Sequence, residues 1–162
     1  MRNISAIIVV CIVLIAFRSE QGASPKDFIG IWRLEKCVAI QKDGKINYPY
    51  GEKPVGQLLY DEKGNMMVEI TKPGIKAFAS PSPIQGTPEE VLPAYNGLIA
   101  YYGTYRVVPD SNLVIHHLTA SSFPNWVGQD QRRYYEFKGN ELILRTSLIG
   151  AERYELSWKK IK

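Results

Sequence analysis

The feature that most constrains the fold is a succession of short segments in which apolar and polar residues alternate. In the segment 153–160, Tyr154, Leu156 and Trp158 alternate with charged and polar residues. In the segment 30–41, the same alternation places Trp32, Leu34 and Val38 on one side and Arg33, Glu35 and Cys37 on the other. A period of two residues is typical of a β-strand with one buried face. The predicted strands are 30–41, 55–61, 66–71, 99–108, 112–120, 131–137, 141–146 and 153–160.

Tight turns connect most of these strands, as at Lys63–Asn65, Pro109–Ser111 and Lys138–Asn140. Such short connections favour antiparallel pairing between strands that are neighbours in sequence. An open sheet of this kind would expose two edges, whereas about eight antiparallel strands can close into a barrel with room for one small ligand. The sequence therefore predicts an all-β fold, an up-and-down antiparallel β-barrel of about eight strands.

One long connection, residues 72–93, interrupts this pattern with five prolines and two glycines. Within it, Thr87-Pro88-Glu89-Glu90 combines an N-cap hydroxyl, a proline at the first helical position and a glutamate at the third. We expect one short helix here. A connection this long in a small domain is typically a lid or a binding loop, and we interpret it as a cover for the barrel.

The N-terminus has the pattern of an export signal. Arg2 precedes an apolar run, Ile4–Phe17, which is shorter than the roughly 20 residues that a membrane-spanning helix needs. We expect residues 1–23 to be a signal peptide and residues 24–162 to be one barrel domain, periplasmic or secreted and without stable membrane insertion after cleavage. An uncleaved N-terminal anchor is the alternative. Cys37 then remains as a single thiol, so packing rather than a disulfide must stabilise the domain.

Composition and motifs exclude several classes of function. The chain has 20 Lys and Arg residues against 16 Asp and Glu residues, and the two signs are interleaved, which disfavours nucleic-acid binding. It contains no nucleotide-binding glycine fingerprint, no Gly-x-Ser-x-Gly and no Cys-x-x-Cys, so we expect no cofactor. The two histidines, His116 and His117, are adjacent in a predicted strand and point to opposite faces, so they cannot chelate one metal ion. We expect no metal site.

The segment from His116 to Glu136 concentrates the ionisable and aromatic residues. If the preceding hairpin is centred on Asp110, Gly103 lies opposite His117, and the missing side chain leaves a gap that a ligand could fill. This register places His116 on the outer surface. The residues that it assigns to the interior are Tyr101, Tyr105, Ile115 and His117.

The next strand carries a second candidate for the cavity. Arg132 shares a face with Glu136, with which it can form a surface ion pair. Arg133, on the other face with Tyr135 and Phe137, would need an anionic partner if it points inward. Between the two strands, the turn Pro124-Asn125-Trp126 is expected at the mouth of the barrel, where ligands enter.

Several short motifs, taken in order, resemble those of the bacterial and fungal lipocalin-like domain family, which forms calycin-type barrels. Their order along nearly all of residues 24–162 makes the resemblance fairly specific. It implies a barrel with a small-molecule cavity, in a family whose members mostly have no assigned function and of which some accompany secondary-metabolite pathways. The chain lacks the disulfide of typical secreted lipocalins. The motifs are Gly30-Ile-Trp32, Tyr48-Pro-Tyr-Gly-Glu52, Gly56-Gln-Leu-Leu-Tyr60, Gly103-Thr-Tyr105, His116-His117, and Pro124-Asn-Trp-Val-Gly128 followed by Gln131 and Arg133.

These observations favour a noncatalytic protein that binds a small hydrophobic or amphipathic molecule in the barrel. A cofactor-independent isomerase or cyclase is the alternative, with His117 moving the proton and Tyr105 or Arg133 stabilising an oxyanion. A third hypothesis is an envelope-structural or interaction protein whose barrel is packed solid. The predicted ligand-binding residues are Trp32, Tyr60, Tyr101, Gly103, Tyr105, Ile115, His117, Asn125, Trp126, Arg133 and Tyr135.

Overall fold

The computed structural model describes residues 23–161, in which nine antiparallel strands form one sheet. Its strands are β1 (Gly30–Gln41), β2 (Ile46–Asn47), β3 (Val55–Tyr60), β4 (Asn65–Thr71), β5 (Leu98–Val108), β6 (Leu113–Ser121), β7 (Asp130–Lys138), β8 (Glu141–Thr146) and β9 (Glu152–Lys160). Its helices are α1 (Pro25–Phe28) and α2 (Pro88–Asn96), with single 3-10 turns η1 (Pro109–Ser111) and η2 (Pro124–Trp126).

The sheet closes on itself because β1 pairs with β9 along most of its length, from Trp32 opposite Lys160 to Gln41 opposite Glu152. Each of the strands from β3 to β9 pairs with its neighbour in sequence, and β3 pairs with the first part of β1. The short β2 adds to the second part of β1 and stands outside the closed ring. The predicted eight-stranded up-and-down barrel is therefore confirmed, with one extra strand that the sequence pattern did not predict.

Helix α1 closes one end of the barrel. Ser24 and Asp27 form a capping box at its start, in which the Ser24 N–H donates to the Asp27 carboxylate at 2.7 Å. Phe28 is completely buried, and its ring contacts a group of aromatic rings at centroid distances of 5.0 to 5.4 Å. These are Tyr60, Tyr135 and Phe137. The Trp32 indole N–H donates to the Phe28 carbonyl at 2.8 Å, which ties the helix to β1.

Helix α2 is the short helix expected in the long connection. Its capping box joins Thr87 and Glu90, and the Glu90 carboxylate accepts hydrogen bonds from the backbone N–H groups of Thr87 at 2.9 Å and Ala79 at 2.8 Å. One side chain thus holds the proline-rich segment against the start of the helix. Across residues 23–161, no helix has both the length and the apolar character needed to cross a membrane.

A β-bulge in β1 changes which residues face inward. The pairing with β9 shifts between Leu34 and Lys36, so that Cys37 pairs with the inward-facing Leu156 and Val38 pairs with Glu155. The strict alternation expected from the sequence put Val38 on the face of Trp32 and put Cys37 on the other. That assignment is wrong, because one extra residue in a bulge reverses the alternation beyond it.

The β5–β6 hairpin has a register one residue away from the predicted one. Its turn contains the 3-10 turn η1 followed by Asn112 in the left-handed region, with φ 46°. Tyr105 consequently pairs with His116, and Thr104 pairs with His117. His116 therefore points into the barrel and is completely buried, while His117 is on the outer surface, the reverse of the predicted orientation for both.

Gly103 lies opposite Leu118, not opposite His117, beside a register shift between Tyr102 and Gly103. It is buried, but a Cβ atom there would overlap the backbone carbonyl oxygen of His117. The glycine thus allows the backbones of β5 and β6 to approach closely, which is a common reason for glycine in a strand. The expectation that it leaves space for a ligand is wrong.

Candidate functional site

A cavity of about 260 Å³ occupies the end of the barrel opposite α1. Strand β1 runs from the closed end of the barrel to the cavity. Trp32, near its start, packs with Phe28 at the closed end, and Cys37, further along, lines the cavity. The remaining lining residues are Tyr50, Val68, Ile70, Tyr95, Asn96, Leu98, Ile99, Tyr101, Ser122, Phe123, Trp126, Arg133, Leu144, Thr146, Ile149, Tyr154, Leu156 and Trp158.

Aromatic rings form much of the wall and the mouth. Trp126 of η2 stands edge-on to Tyr101, at a centroid distance of 5.9 Å, and edge-on to Phe123 at 5.6 Å. The last turn of α2 contributes Tyr95 and Asn96 to the same lining. The long connection therefore covers part of the cavity, and flat aromatic faces are available to pack against a ligand.

Of the lining residues within 23–161, Arg133 is the one with a full charge at neutral pH. It is 5% exposed, and its Nη1 donates to the Arg132 carbonyl at 2.9 Å. Its guanidinium carbon lies 6.0 Å from the centre of the Trp126 ring. Among residues 23–161, no carboxylate lies within ion-pair distance of it. A guanidinium has five N–H donors, so most of the hydrogen-bonding capacity of this one remains available to a ligand.

A buried hydrogen-bonded pair, Tyr60 and His116, lies next to the cavity on the side of α1. The Tyr60 hydroxyl is 2.6 Å from His116 Nε2, and Tyr101, a lining residue, has its ring 6.2 Å from the imidazole. Burial, reinforced by the positive charge of Arg133, holds the pKa of His116 well below its usual value. Burial also holds the pKa of the Tyr60 hydroxyl well above its usual value. Both side chains are therefore uncharged at neutral pH.

Cys37 was not predicted as a lining residue, because the bulge in β1 has no clear sequence signal. Burial raises the pKa of its thiol to about 12, so the thiolate that would act as a nucleophile is scarce at neutral pH. Trp158 was also missed, although the alternation of its segment did place it on one face with Tyr154 and Leu156. All of these residues line the cavity.

Of the predicted ligand-binding residues, Tyr101, Trp126 and Arg133 line the cavity. Four others pack around Phe28 at the closed end, and there the Tyr105 hydroxyl donates to the Asp61 carbonyl at 3.0 Å. Those four are Trp32, Tyr60, Tyr105 and Tyr135. Contact between these four and a ligand in the cavity remains a prediction.

The remaining predicted residues lie elsewhere. Ile115 is buried, but it pairs with Arg106 and Arg132 on the outer side of the sheet, so its inward assignment is wrong. Asn125 is exposed in η2, outside the cavity lining. His117 is on the outer surface, where its Nδ1 lies 2.9 Å from the Asp130 carboxylate, and its side chain is 59% exposed.

The candidates for acid–base chemistry are thus dispersed. His117 is outside the barrel, the Tyr105 hydroxyl is bonded to backbone at the closed end, and Arg133 alone of the three lines the cavity. The expected Arg132–Glu136 pair is also replaced, because Glu136 bonds Lys138 and Arg145, each at 3.0 Å. In the described part of the chain, no three His, Cys, Asp or Glu side chains are grouped so as to hold a metal ion.

Comparison with known proteins agrees with this architecture. Residues 29–161 match the model of a family described as the lipocalin-like domain. The chain belongs to that family. This lipocalin-like domain is 33% identical over 108 residues to a protein of Aspergillus oryzae named 4'-hydroxy-3'-methoxypropiophenone carrier protein ppsC, a match that covers 59% of this chain and 96% of the relative.

Two solved barrels are more distant. A redesigned β-barrel has a TM-score of 0.44 and 9% identity, with 89% of this chain and all of the design covered. A mutant of the fluorescent protein UnaG has a TM-score of 0.38 and 14% identity, with 83% of this chain and 96% of that protein covered. At this distance the likeness says nothing about the site.

Proposed function

We propose that this lipocalin-like protein is a noncatalytic carrier that binds a small hydrophobic or amphipathic molecule in the barrel cavity. The observation that carries the proposal is the cavity itself, with aromatic walls, a mouth between α2 and η2, and one buried guanidinium. A mostly apolar pocket with a few well-placed polar groups is the usual form of a small-molecule site. The Aspergillus oryzae relative, named as the carrier of a small aromatic ketone, supports the same class of function.

The size of the cavity restricts the ligand. Its volume of about 260 Å³ lies below the range of roughly 300–1,000 Å³ that is usual for drug-sized ligands. A compact molecule with one or two rings suits this space, and a long-chain lipid does not. The presence of the cavity also argues against a barrel that is packed solid.

Displacement of a small neutral fluorophore, 1-aminoanthracene, by candidate ligands tests the proposal on the purified protein. We expect Ile70→Phe, which puts a ring into the cavity lining, to weaken fluorophore binding at least about tenfold because the space is reduced. Met67→Phe is the matched control, since Met67 is on the same strand but 53% exposed on the outer face. Equal binding by both variants, or no binding by the unmodified protein, would contradict a cavity that carries a ligand.

Catalysis by the same cavity has less support. The isomerase or cyclase hypothesis depended on His117 as the proton carrier, and that side chain lies on the outer surface beside Asp130. Arg133 can stabilise an oxyanion, but the lining that the described part of the chain provides has no histidine, aspartate or glutamate to move a proton.

The export of the protein is part of the same proposal and rests on the sequence of residues 1–23, most of which lie outside the described residues. A positive start followed by the apolar run Ile4–Phe17 supports cleavage and release of a periplasmic or secreted carrier. N-terminal sequencing of the protein recovered from fractionated cells tests this. We expect a chain that begins near Ser24 in the exported fraction, whereas an intact Met1 in the cytoplasmic fraction would contradict export.

A further inference from the structure

The cavity has hydrogen-bond donors that the described residues do not fully satisfy. Arg133 is buried with its guanidinium at the lining; its Nη1 donates to the Arg132 carbonyl, but within residues 23–161 it has no carboxylate partner. Trp158 is also buried and lines the cavity, and its indole N–H has no acceptor among the described residues. Buried donors in native proteins are nearly always satisfied, so such donors at one cavity indicate where a ligand supplies the acceptors.

The charge of the lining has one sign. Among the described residues that line the cavity there is no aspartate, glutamate or lysine, which leaves Arg133 as the single permanently charged group of that set. Removing an unpaired guanidinium from water is costly, and a neutral acceptor compensates that cost less well than an anion does. A carboxylate also matches the fork of N–H groups on arginine, because its two oxygens can accept two parallel hydrogen bonds.

The two donors are at different depths. Arg133 pairs with Thr146, near the mouth end of β8, while Trp158 pairs with Leu142 of the same strand. Four residues along a strand correspond to about 13 Å. Leu144 and its partner Leu156 line the wall between these two levels, and the rings of Tyr101 and Tyr154 also face the cavity. This arrangement suits a flat molecule whose anionic group points to the mouth and whose other end carries a neutral acceptor.

We propose that the cavity selects small aromatic carboxylates, with the carboxylate bound by Arg133 near the mouth and an ether or hydroxyl oxygen at the far end accepting from the Trp158 indole N–H. This inference rests on the proposed carrier function and names its ligand class. The proposed ligand class is anionic, whereas the ketone in the name of the Aspergillus oryzae relative is neutral. The proposal therefore assigns the main selectivity to charge.

The test compares three probes of similar size on the purified protein by titration calorimetry. They are 4-methoxycinnamate, its neutral methyl ester, and the neutral ketone 4'-methoxypropiophenone. We expect the unmodified protein to bind the carboxylate at least about tenfold more tightly than either neutral probe, which corresponds to the usual strength of a hydrogen bond to a charged group.

Variants of the two adjacent arginines, Arg132 and Arg133, show which of them causes the preference for the carboxylate. We expect Arg133→Met to lose the preference for the carboxylate while binding the methyl ester about as well as before, and Arg133→Lys to keep part of the preference. Arg132→Met is the matched control, because Arg132 is adjacent in sequence but exposed on the outer face. It should bind all three probes like the unmodified protein. Trp158→Phe should weaken the binding of all three probes, because each of them carries the methoxy group.

The outcomes separate this inference from the carrier function. If the ester and the ketone bind as tightly as the carboxylate, and Arg133→Met changes nothing, the cavity is a carrier site but the anion selectivity is wrong. If none of the probes and no 1-aminoanthracene binds to protein whose urea unfolding is cooperative, both the selectivity and the carrier function are wrong.

Discussion

At the scale of single residues, the buried pair of Tyr60 and His116 is the feature with the largest consequences. The Tyr60 hydroxyl oxygen and His116 Nε2 lie 2.6 Å apart, both side chains are buried, and His116 Nδ1 has no partner within the described residues. A buried polar group that loses its partner is expensive, whereas loss of both partners together costs less. The pair is therefore expected to contribute to stability as a unit.

The variant Tyr60→Phe tests this coupling. It removes the hydroxyl and leaves both His116 nitrogens without a partner, so we expect the free energy of unfolding to fall by about 1–3 kcal/mol. The double variant Tyr60→Phe/His116→Leu should recover part of that loss. Urea unfolding of the two single variants and the double variant gives the coupling energy. His117→Gln is the control at the exposed neighbour and should change the stability by less than about 0.5 kcal/mol. Strictly additive effects of the two substitutions would contradict the coupling.

The depressed pKa of His116 also predicts a dependence of stability on pH. The folded protein keeps the imidazole neutral, whereas the unfolded chain protonates it below a pKa of about 6.5. Between that pH and the much lower pKa of the folded state, the unfolded chain binds more protons. The free energy of unfolding should therefore fall by up to about 1.4 kcal/mol for each pH unit below about 6.5.

Urea unfolding between pH 7.5 and pH 5 measures this slope, and the double variant Tyr60→Phe/His116→Leu supplies the baseline without the titrating group. The prediction is wrong if both proteins lose stability equally over that interval.

At the scale of elements, α1 has an effect beyond its length of 4 residues. Its single buried side chain, Phe28, fills the closed end against three aromatic rings, and the carbonyl of the same residue accepts the Trp32 indole N–H. The helix is thus part of the core of the barrel. Its capping box, Ser24 with Asp27, lies immediately after the predicted signal peptide.

Removing that side chain should be costly. We expect Phe28→Ala to lower the free energy of unfolding by about 3–5 kcal/mol, the range for a buried phenylalanine that leaves a cavity. Lys26→Ala, on the exposed side of the same helix, is the control and should have little effect. Denaturant unfolding measures both. A loss of less than 1 kcal/mol in Phe28→Ala, on the order of a surface substitution, would show that α1 is dispensable for closing the barrel.

The elements also show what the sequence could predict. Alternation and turn residues were sufficient to predict the principal strands, and the capping residues were sufficient to predict α2, because these signals are local. The register of the β5–β6 hairpin depended on the conformation of Asn112, and the inward face of β1 depended on a bulge near Glu35. The hairpin turn and the bulge each shift the strand register by one residue. Each shift reverses every inward and outward assignment beyond it. The two histidines and Cys37 were misplaced for this reason alone.

At the scale of the whole molecule, the barrel divides into a closed half and an open half. The aromatic residues cannot be sorted between the two halves from the sequence, since Tyr60 and Tyr101 occur in strands with the same alternation. Position along the barrel depends on where the chain closes and on which residues α1 covers. Arg133 was identified correctly as the residue that faces inward, because its alternative, Arg132, could be assigned to the outer surface.

The closure of the barrel also brings both ends of the described chain to its closed half. The Ile161 N–H donates to the Ile31 carbonyl at 2.9 Å, and Lys160 Nζ lies 3.4 Å from the Asp27 carbonyl. A surface attachment at either end of this domain therefore leaves the mouth between α2 and η2 facing outward. We expect the protein immobilised through residue 162 on a sensor chip to bind 4-methoxycinnamate with its solution affinity, whereas attachment through a cysteine placed at Phe123 should block entry. Because both ends of the described chain lie at the closed half, a fusion partner or tag added at either end would leave the ligand entrance free.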